Sequence, residues 1–273
     1  MDMTKTEIDE LIQSWKLPEH GTLQERIEEM IRPAVIAGRF ATSPTARLCG
    51  LQYHLSGQED TRQLAELAGI SSEDSVLDVL SYLGGPALQL AETYGCRVTG
   101  VDIAEDFVAA ASRIAELAGL SDRVGFQTGD SQELPFSSEQ FSVVWCQGLS
   151  GHDETCLREF DRVLLPGGRL AFTLATRGVD PDADSPEWAL EEVGDSVRKL
   201  GYSIRDIQDI TDRDIEIGWN ALDRKLNEEH DQFAAVLGEQ WVRDAHARFA
   251  DEIRRMREGR WGNGRIVAVK PAG

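Results

Sequence analysis

The sequence predicts an α/β protein whose parallel sheet is covered by helices on both faces. Two observations predict it. Between Ser75 and Ala175, short apolar runs of strand length alternate with helical-period stretches of about 10–15 residues, the signature of βαβ units. The first run, Ser75-Val-Leu-Asp-Val-Leu80, is nearly continuous in apolar residues, as a strand buried on both faces must be. Right-handed crossovers then place helices on both sides of the sheet.

In chain order, helices are expected within 3–40, where Ile8, Leu11, Ile12 and Trp15 recur at helical spacing, followed by Ile27, Met30 and Ile31. Pro33 and Pro44 bracket a loop or short helix. A helix at 61–68 ends at Gly69. The strand at 75–80 leads through Gly84-Gly85-Pro86 into a helix at 87–94. A second strand, 96–101, ends in Asp102. An alanine-rich helix, 105–117, is closed by Gly119, and a third strand, 123–128, ends in Gly129-Asp130. A fourth strand covers 141–146. A helix through Leu157, Phe160, Val163 and Leu164 stops at Pro166-Gly167-Gly168, and a fifth strand covers 169–175. A helix at 188–200 and a sixth strand at 202–210 follow. Residues 214–258 read as two helices, with Trp241, Ala245, Phe249, Ile253 and Met256 on one stripe. The last strand, 265–269, is entered through Asn263-Gly264, a turn signal. The organisation expected is an N-terminal helical cap (1–57), a core (58–213), a helical insertion (214–260) and a final core strand (261–273). The insertion is either a lid over a substrate or a helix pair on the sheet edge.

The chain of 273 residues carries a formal net charge of −20 and a pI near 4.6. So acidic a body repels nucleic acid and anionic lipid. The excess suits a saline interior and an ordinary soluble surface alike. No apolar run reaches the roughly 20 residues of a membrane span, and the polar, acidic start is not that of a signal peptide. Four cysteines without a CxxC pair are too sparse for a disulfide framework. A soluble cytoplasmic protein is expected, with no membrane or nucleic-acid partner and with a homodimer left open. No His, Cys or carboxylate cluster has metal-ligand spacing, so no metal is expected.

In an open α/β sheet, ligands sit beyond the carboxyl ends of the strands. Asp102, at the tip of the second strand, is placed to accept hydrogen bonds from ribose hydroxyls of an adenosine ligand; the alternative is a cap for the helix that follows. Asp130, at the tip of the third strand, either meets an adenine amino group or is a turn residue. His152, beyond the fourth strand, is a proton acceptor for a nucleophilic substrate or a loop histidine. His54 has the same two readings. Cys146 either lines the pocket or is a buried thiol.

Taken in order, Val76-Leu-Asp-Val, Leu83-Gly-Gly-Pro86, Val98-Thr-Gly-Val-Asp-Ile103, Gly129-Asp130, Leu134-Pro-Phe136, Phe141-Ser-Val-Val-Trp145 and Arg162-Val-Leu-Leu-Pro-Gly-Gly-Arg-Leu170 resemble class I S-adenosylmethionine-dependent methyltransferases. The resemblance is to the small-molecule branch holding sarcosine/dimethylglycine N-methyltransferases and ubiquinone/menaquinone-type C-methyltransferases. Gln52-Tyr-His54 with Gly57 resembles that branch's upstream segment. The resemblance implies a Rossmann-like, doubly wound seven-stranded sheet, mostly parallel with an antiparallel last strand. It implies S-adenosyl-L-methionine across the first strand tips, a small-molecule methyl acceptor, and methyl transfer to an N, O, S or C atom. The implied cofactor-binding residues are Asp78, Gly84, Gly85, Asp102, Ile103, Asp130, Ser131 and Trp145. The implied catalytic residues are His152 and His54.

Two departures from the family pattern bear on function. The first loop of the family carries three alternating glycines, whereas this chain has Leu80, Tyr82 and Gly84. Leu80 and Tyr82 either fill part of the cofactor pocket or point away from it. The loop after the fourth strand, Trp145-Cys-Gln-Gly148-Leu-Ser-Gly-His-Asp153, is short and lacks the family's acidic residue. A methyltransferase is therefore expected. The alternatives are a repurposed methyltransferase fold with another reaction and a non-catalytic binding partner.

Overall fold

A computed structural model describes residues 4–149 and 154–273 of the protein. Helices α1 (Lys5–Ser14), α2 (Leu23–Ile36), α3 (Pro44–Cys49) and α4 (Gly57–Ala68) precede the sheet. Strand β1 (Ser75–Val79) is followed by α5 (Gly85–Tyr94), β2 (Arg97–Asp102), α6 (Glu105–Leu117), β3 (Val124–Thr128), β4 (Phe141–Leu149), α7 (Glu154–Val163) and β5 (Leu164–Arg177). Then come α8 (Leu190–Lys199) and β6 (Ser203–Asp209). A short helical turn α9 (Thr211–Arg213) runs into a π-helical turn (Asp214–Trp219) and α10 (Asn220–Glu228). Helices α11 (His230–Leu237) and α12 (Glu239–Arg257) lead to β7 (Trp261–Val269).

The seven strands lie in the order β3-β2-β1-β4-β5-β7-β6. Strands β1 to β5 pair parallel, and β7 is antiparallel to both β5 and β6. The strand order reverses beside β1, where a ligand crevice is expected. Alternation along the strands divides the core. Val76, Val98, Val143, Trp145, Ala171 and Val267 pack on the face that carries α1, α2 and α4–α6. Leu77, Val79, Val101, Val144, Cys146, Phe172 and Ile266 pack on the face that carries α7 and α8. A third cluster joins Ile36 and Leu48 to Trp219, Leu226, Phe233, Ala245 and Phe249, so the segment between β6 and β7 is tied to α2 and α3.

Three local expectations are corrected. Pro33 lies inside α2, in its last turn; it forfeits only its own N–H bond, and the helix runs on to Ile36. The 214–258 stretch holds a π-helical turn and three α-helices, because Gly238, at φ +88°, breaks the run before α12. Asn263-Gly264 is no turn: both residues pair with β5 in the middle of β7, opposite Ala175 and Leu174. Gly264 is needed there because a Cβ would lie 2.4 Å from Leu190.

Helix α4 is held at its end as well as along its face. Gly69 closes it in the left-handed conformation. Arg169, from β5, donates to the carbonyls of Ala68 (3.0 Å) and Gly69 (2.6 Å) and pairs with Asp74. The start of α4 is thereby fixed over the tips of β1 and β4.

Candidate functional site

The loop from β1 to α5 is built by its backbone. Ser81 N–H donates to the Val101 carbonyl (3.0 Å), and Tyr82 N–H donates to Asp102 Oδ2 (2.9 Å). Leu80 (φ +62°) and Tyr82 (φ +48°) both take left-handed angles. The two non-glycine residues thus adopt the backbone shape that glycine adopts without steric cost. Gly84, at φ +81°, lies under the Phe126 ring, 2.4 Å from where a Cβ would stand. Gly85 starts α5 against the Leu51 carbonyl.

Beyond these strand tips lies a cavity of about 320 Å³, whose wall includes Tyr53, His54, Asp78, Leu80, Ser81, Tyr82 and Asp102. Leu80 and Tyr82 therefore wall the cavity rather than turn from it. The Tyr82 ring is clamped between Tyr53 (5.0 Å between centroids) and Phe107 (4.8 Å, edge-on). Three buried polar atoms on this wall lack a partner: Asp78 Oδ2, Ser81 Oγ and the Tyr82 hydroxyl. Burial and the neighbouring Asp102 push the Asp78 carboxyl up to about 8, against a bond from the Ala87 N–H. Asp102 Oδ1 accepts from Ala104 N–H (3.0 Å), which closes a turn just ahead of α6; the helix itself has no side-chain cap.

The remaining residues singled out from the sequence lie off that wall. Ile103 is exposed beside it, at 67%. Asp130 accepts from Gln132 N–H (2.9 Å) and turns the chain. Ser131 accepts from Cys156 Sγ. Trp145 is fully buried one layer below the strand tip and donates to Gln147 Oε1 (3.1 Å); Gln147, two residues on and on the same face, is the side chain that reaches the cavity. Burial pushes the Cys146 thiol well above its ordinary range, as an inert core residue. His152 lies outside the described residues.

A second cavity, of about 210 Å³, adjoins the first and shares Tyr53, His54 and Gly148 with it. Its wall is mostly apolar, with Leu55, Leu149, Ile210, Trp219 and Trp261, and it carries the carboxylates of Asp60 and Asp214. Gly148 (φ +82°) sits where β4 and β5 shift register, and its N–H donates to Thr173 Oγ1 (2.9 Å).

His54 lines both cavities, and its neutral ring has one N–H to donate. Nδ1 donates to the Leu55 carbonyl (3.1 Å), and Nε2 lies 3.0 Å from Gln52 Oε1 and 3.3 Å from Thr61 Oγ1. Burial holds its pKa below the ordinary value, so the ring is neutral, with Asp60 opposing the shift. Behind it, Thr61 donates to Gln147 Oε1 (2.8 Å), Gln147 Nε2 to Asp60 Oδ2 (2.7 Å) and Arg213 to Asp60 Oδ1 (2.9 Å). Asp60, Gln147 and Asp214 carried no signal in the sequence, since each depends on elements far apart in the chain. Among the described residues no group of three or more His, Cys, Asp or Glu is placed to hold a metal ion.

Residues 76–168 match the model of a family described as a methyltransferase domain. Among curated proteins, the chain is 34% identical over 131 residues to methyltransferase GfsG of Streptomyces halstedii, covering 46% of this chain and 47% of that one. It is 35% identical over 143 residues to 27-O-demethylrifamycin SV methyltransferase of Amycolatopsis mediterranei, covering 50% and 52%. The matched region thus spans about half the length of these relatives. Among solved structures, phosphoethanolamine N-methyltransferase 2 of Haemonchus contortus superposes with a TM-score of 0.75 at 18% identity, over 92% of this chain and 61% of that one. At that identity the likeness is one of fold.

Proposed function

We propose that this chain, whose core is a class I methyltransferase domain, transfers a methyl group from S-adenosyl-L-methionine to a small-molecule acceptor. The observation that carries the reading is the pair of adjoining cavities that share Tyr53, His54 and Gly148 in their lining, one at the β1–β2 tips and one under the segment between β6 and β7. A two-substrate transfer brings the acceptor atom into direct contact with the methyl carbon, so the two chambers must adjoin, and its rate comes mainly from positioning and from exclusion of water.

The first chamber fits the cofactor in chemistry and size. Ligand sites run from roughly 300 to 1,000 Å³. The cofactor carries an ammonium and a sulfonium, and this wall offers the Asp102 carboxylate and the Asp78 carboxyl, whose Oδ2 is unpartnered, together with the unpartnered Ser81 Oγ; a bound cation favours the ionised form of Asp78. Asp78 and Ser81 would meet the methionine end. Asp102 would take the ribose hydroxyls, Ile103 the adenine face, and Asp130 and Ser131 its edge. Gly84 and Gly85 shape the loop and Trp145 backs Gln147, so these three support the site from behind. Bound there, the cofactor supplies an electrophilic methyl group. His54 lines both chambers, and the burial that lowers its pKa makes it a poor base.

The altered glycine loop favours this reading over a repurposed fold, because Leu80 and Tyr82 keep the left-handed angles and leave the cavity open. Calorimetric titration with S-adenosylmethionine and S-adenosylhomocysteine tests it. Both are expected to bind at micromolar concentration, and Asp102→Ala to weaken them at least about tenfold, one to two lost charge-assisted hydrogen bonds. No binding to the unaltered chain sinks the proposal.

A further inference from the structure

The π-helical turn Asp214–Trp219 puts a carboxylate and an indole into the second cavity. Such turns are rare and recur at functional sites. This one is pinned on three sides. Ser56 Oγ donates to Asp214 Oδ1 (2.8 Å), Asn263 Nδ2 donates to Asp214 Oδ2 (2.8 Å), and Gly218 packs on the Leu55–Ser56 backbone. The carboxylate is 3% exposed, yet its Oδ2 spends only one of its two lone pairs on the protein. Apart from Asp60, His54, Thr45, Tyr53, Thr173 and Asn263 the rest of the wall is apolar, with Trp219 and Trp261 edge-on at 6.5 Å, and the Trp261 Nε1–H is buried without a partner. A dry cavity of about 150 Å³ already accepts benzene, so about 210 Å³ holds one substituted ring.

Resting on the methyltransferase reading, we propose that Asp214 is a catalytic residue. It takes the proton from the hydroxyl of a flat, single-ring aromatic acceptor, or of such a ring on a larger molecule, seated against the apolar wall that Trp219 and Trp261 form. The acceptor oxygen forms its bond to the methyl carbon as the methyl–sulfur bond breaks, with that electron pair left on sulfur. The O–H proton passes to Asp214 Oδ2 and leaves for solvent after the product departs. A hydroxyl rather than an ammonium is the better fit, because Arg213 and Arg265 together offset Asp60 and Asp214.

The groups that set the state of Asp214 are Asp60 from α4, Arg213 beside it, Arg265 from β7 and His54 across the cavity. Burial and Asp60 lift its pKa to about 6, against the bonds from Ser56 and Asn263 and the charge of Arg213. It is therefore ionised and able to accept a proton at neutral pH.

The test uses the full chain saturated with S-adenosylhomocysteine and ligand-observed NMR with para-cresol, its methyl ether para-methylanisole, and benzylamine. Para-cresol is expected to bind, with affinity rising about tenfold between about pH 5 and about pH 7 as Asp214 ionises. The ether, having no proton to donate, should bind weakly and without pH dependence. Asp214→Asn should keep S-adenosylhomocysteine affinity within about twofold and abolish the pH dependence for para-cresol, and with it methyl transfer to para-cresol. Equal binding of cresol and ether, preference for benzylamine, or no cresol binding by a chain that binds S-adenosylhomocysteine overturns the proposal. The cresol–ether comparison stands on the unaltered chain, so it holds even where the variant does not fold. Failure to bind S-adenosylhomocysteine is a separate result and strikes the methyltransferase reading itself.

Discussion

At Leu80 and Tyr82 two side chains sit on left-handed backbone, a placement that costs roughly 1–2 kcal/mol for each L-residue. Leu80 is 37% exposed, so Leu80→Gly trades that strain against a modest loss of burial and is expected to change stability by less than about 1 kcal/mol. Tyr82→Gly forfeits a buried aromatic ring worth about 3–5 kcal/mol and recovers only the strain, for a net loss of roughly 2–3 kcal/mol. Urea unfolding of both variants separates the two; equal losses would show that the Leu80 side chain packs as firmly as Tyr82. Asp78 makes the second argument at this scale. Its pKa is near 4 in the unfolded chain and about 8 in the folded one, so the folded state holds the extra proton between those values. Its contribution to stability is full below about pH 4 and is lost as pH rises through about pH 8. Asp78→Asn should therefore melt closer to, or above, the unaltered chain at about pH 8 than at about pH 5 in the absence of ligand. A constant difference across that range would mean that Asp78 is ionised throughout.

Among the elements, the π-helical turn decides how the segment between β6 and β7 meets the rest. Gly218 allows the close approach: a Cβ there would stand 3.1 Å from Leu55 Cβ and 3.3 Å from Ser56 N. Gly218→Val is expected to cost about 1–3 kcal/mol by overpacking and to push Trp219 and Asp214 out of the second cavity. S-adenosylhomocysteine affinity should be unchanged, because Gly218 packs on Leu55 and Ser56 and not on the wall of the first chamber; a matching loss of that affinity would show that the chambers do not act separately. The elements also show how far pattern carries. Helix α6 runs from Glu105 to Leu117 as its periodicity and Gly119 predict. The Asn263-Gly264 pair, the strongest short hairpin signal, lies inside β7 instead, because Leu190 and Thr211 crowd that strand where only glycine and a hydrogen-bonding partner fit.

Across the whole molecule, a charge of −20 is spread over a surface on which many arginines are already paired with carboxylates three or four residues away. Those exposed pairs are each worth little, so the surplus carboxylates repel one another across the folded body. Raising sodium chloride from about 0.05 M to about 0.5 M shortens the screening length from roughly 14 Å to 4 Å. The melting temperature is expected to rise by about 2–4 °C for each kcal/mol of repulsion removed. A flat or falling melting temperature would mean that local ion pairs outweigh the net charge. Among the described residues no helix is long and apolar enough to cross a membrane.

The sequence by itself determined the alternation of strands and helices and the place of Asp102 at the tip of the second strand. These follow from period and composition, which act over a few neighbouring residues. Only the tertiary structure decided that Leu80 and Tyr82 line a cavity rather than close it, that Trp145 sits behind Gln147, and that Asp60 and Asp214, separated by 153 residues from α4 to the π-helical turn, share Arg213. Side-chain direction at a strand tip and charge coupling between distant elements depend on how the layers pack, and local sequence has no term for either.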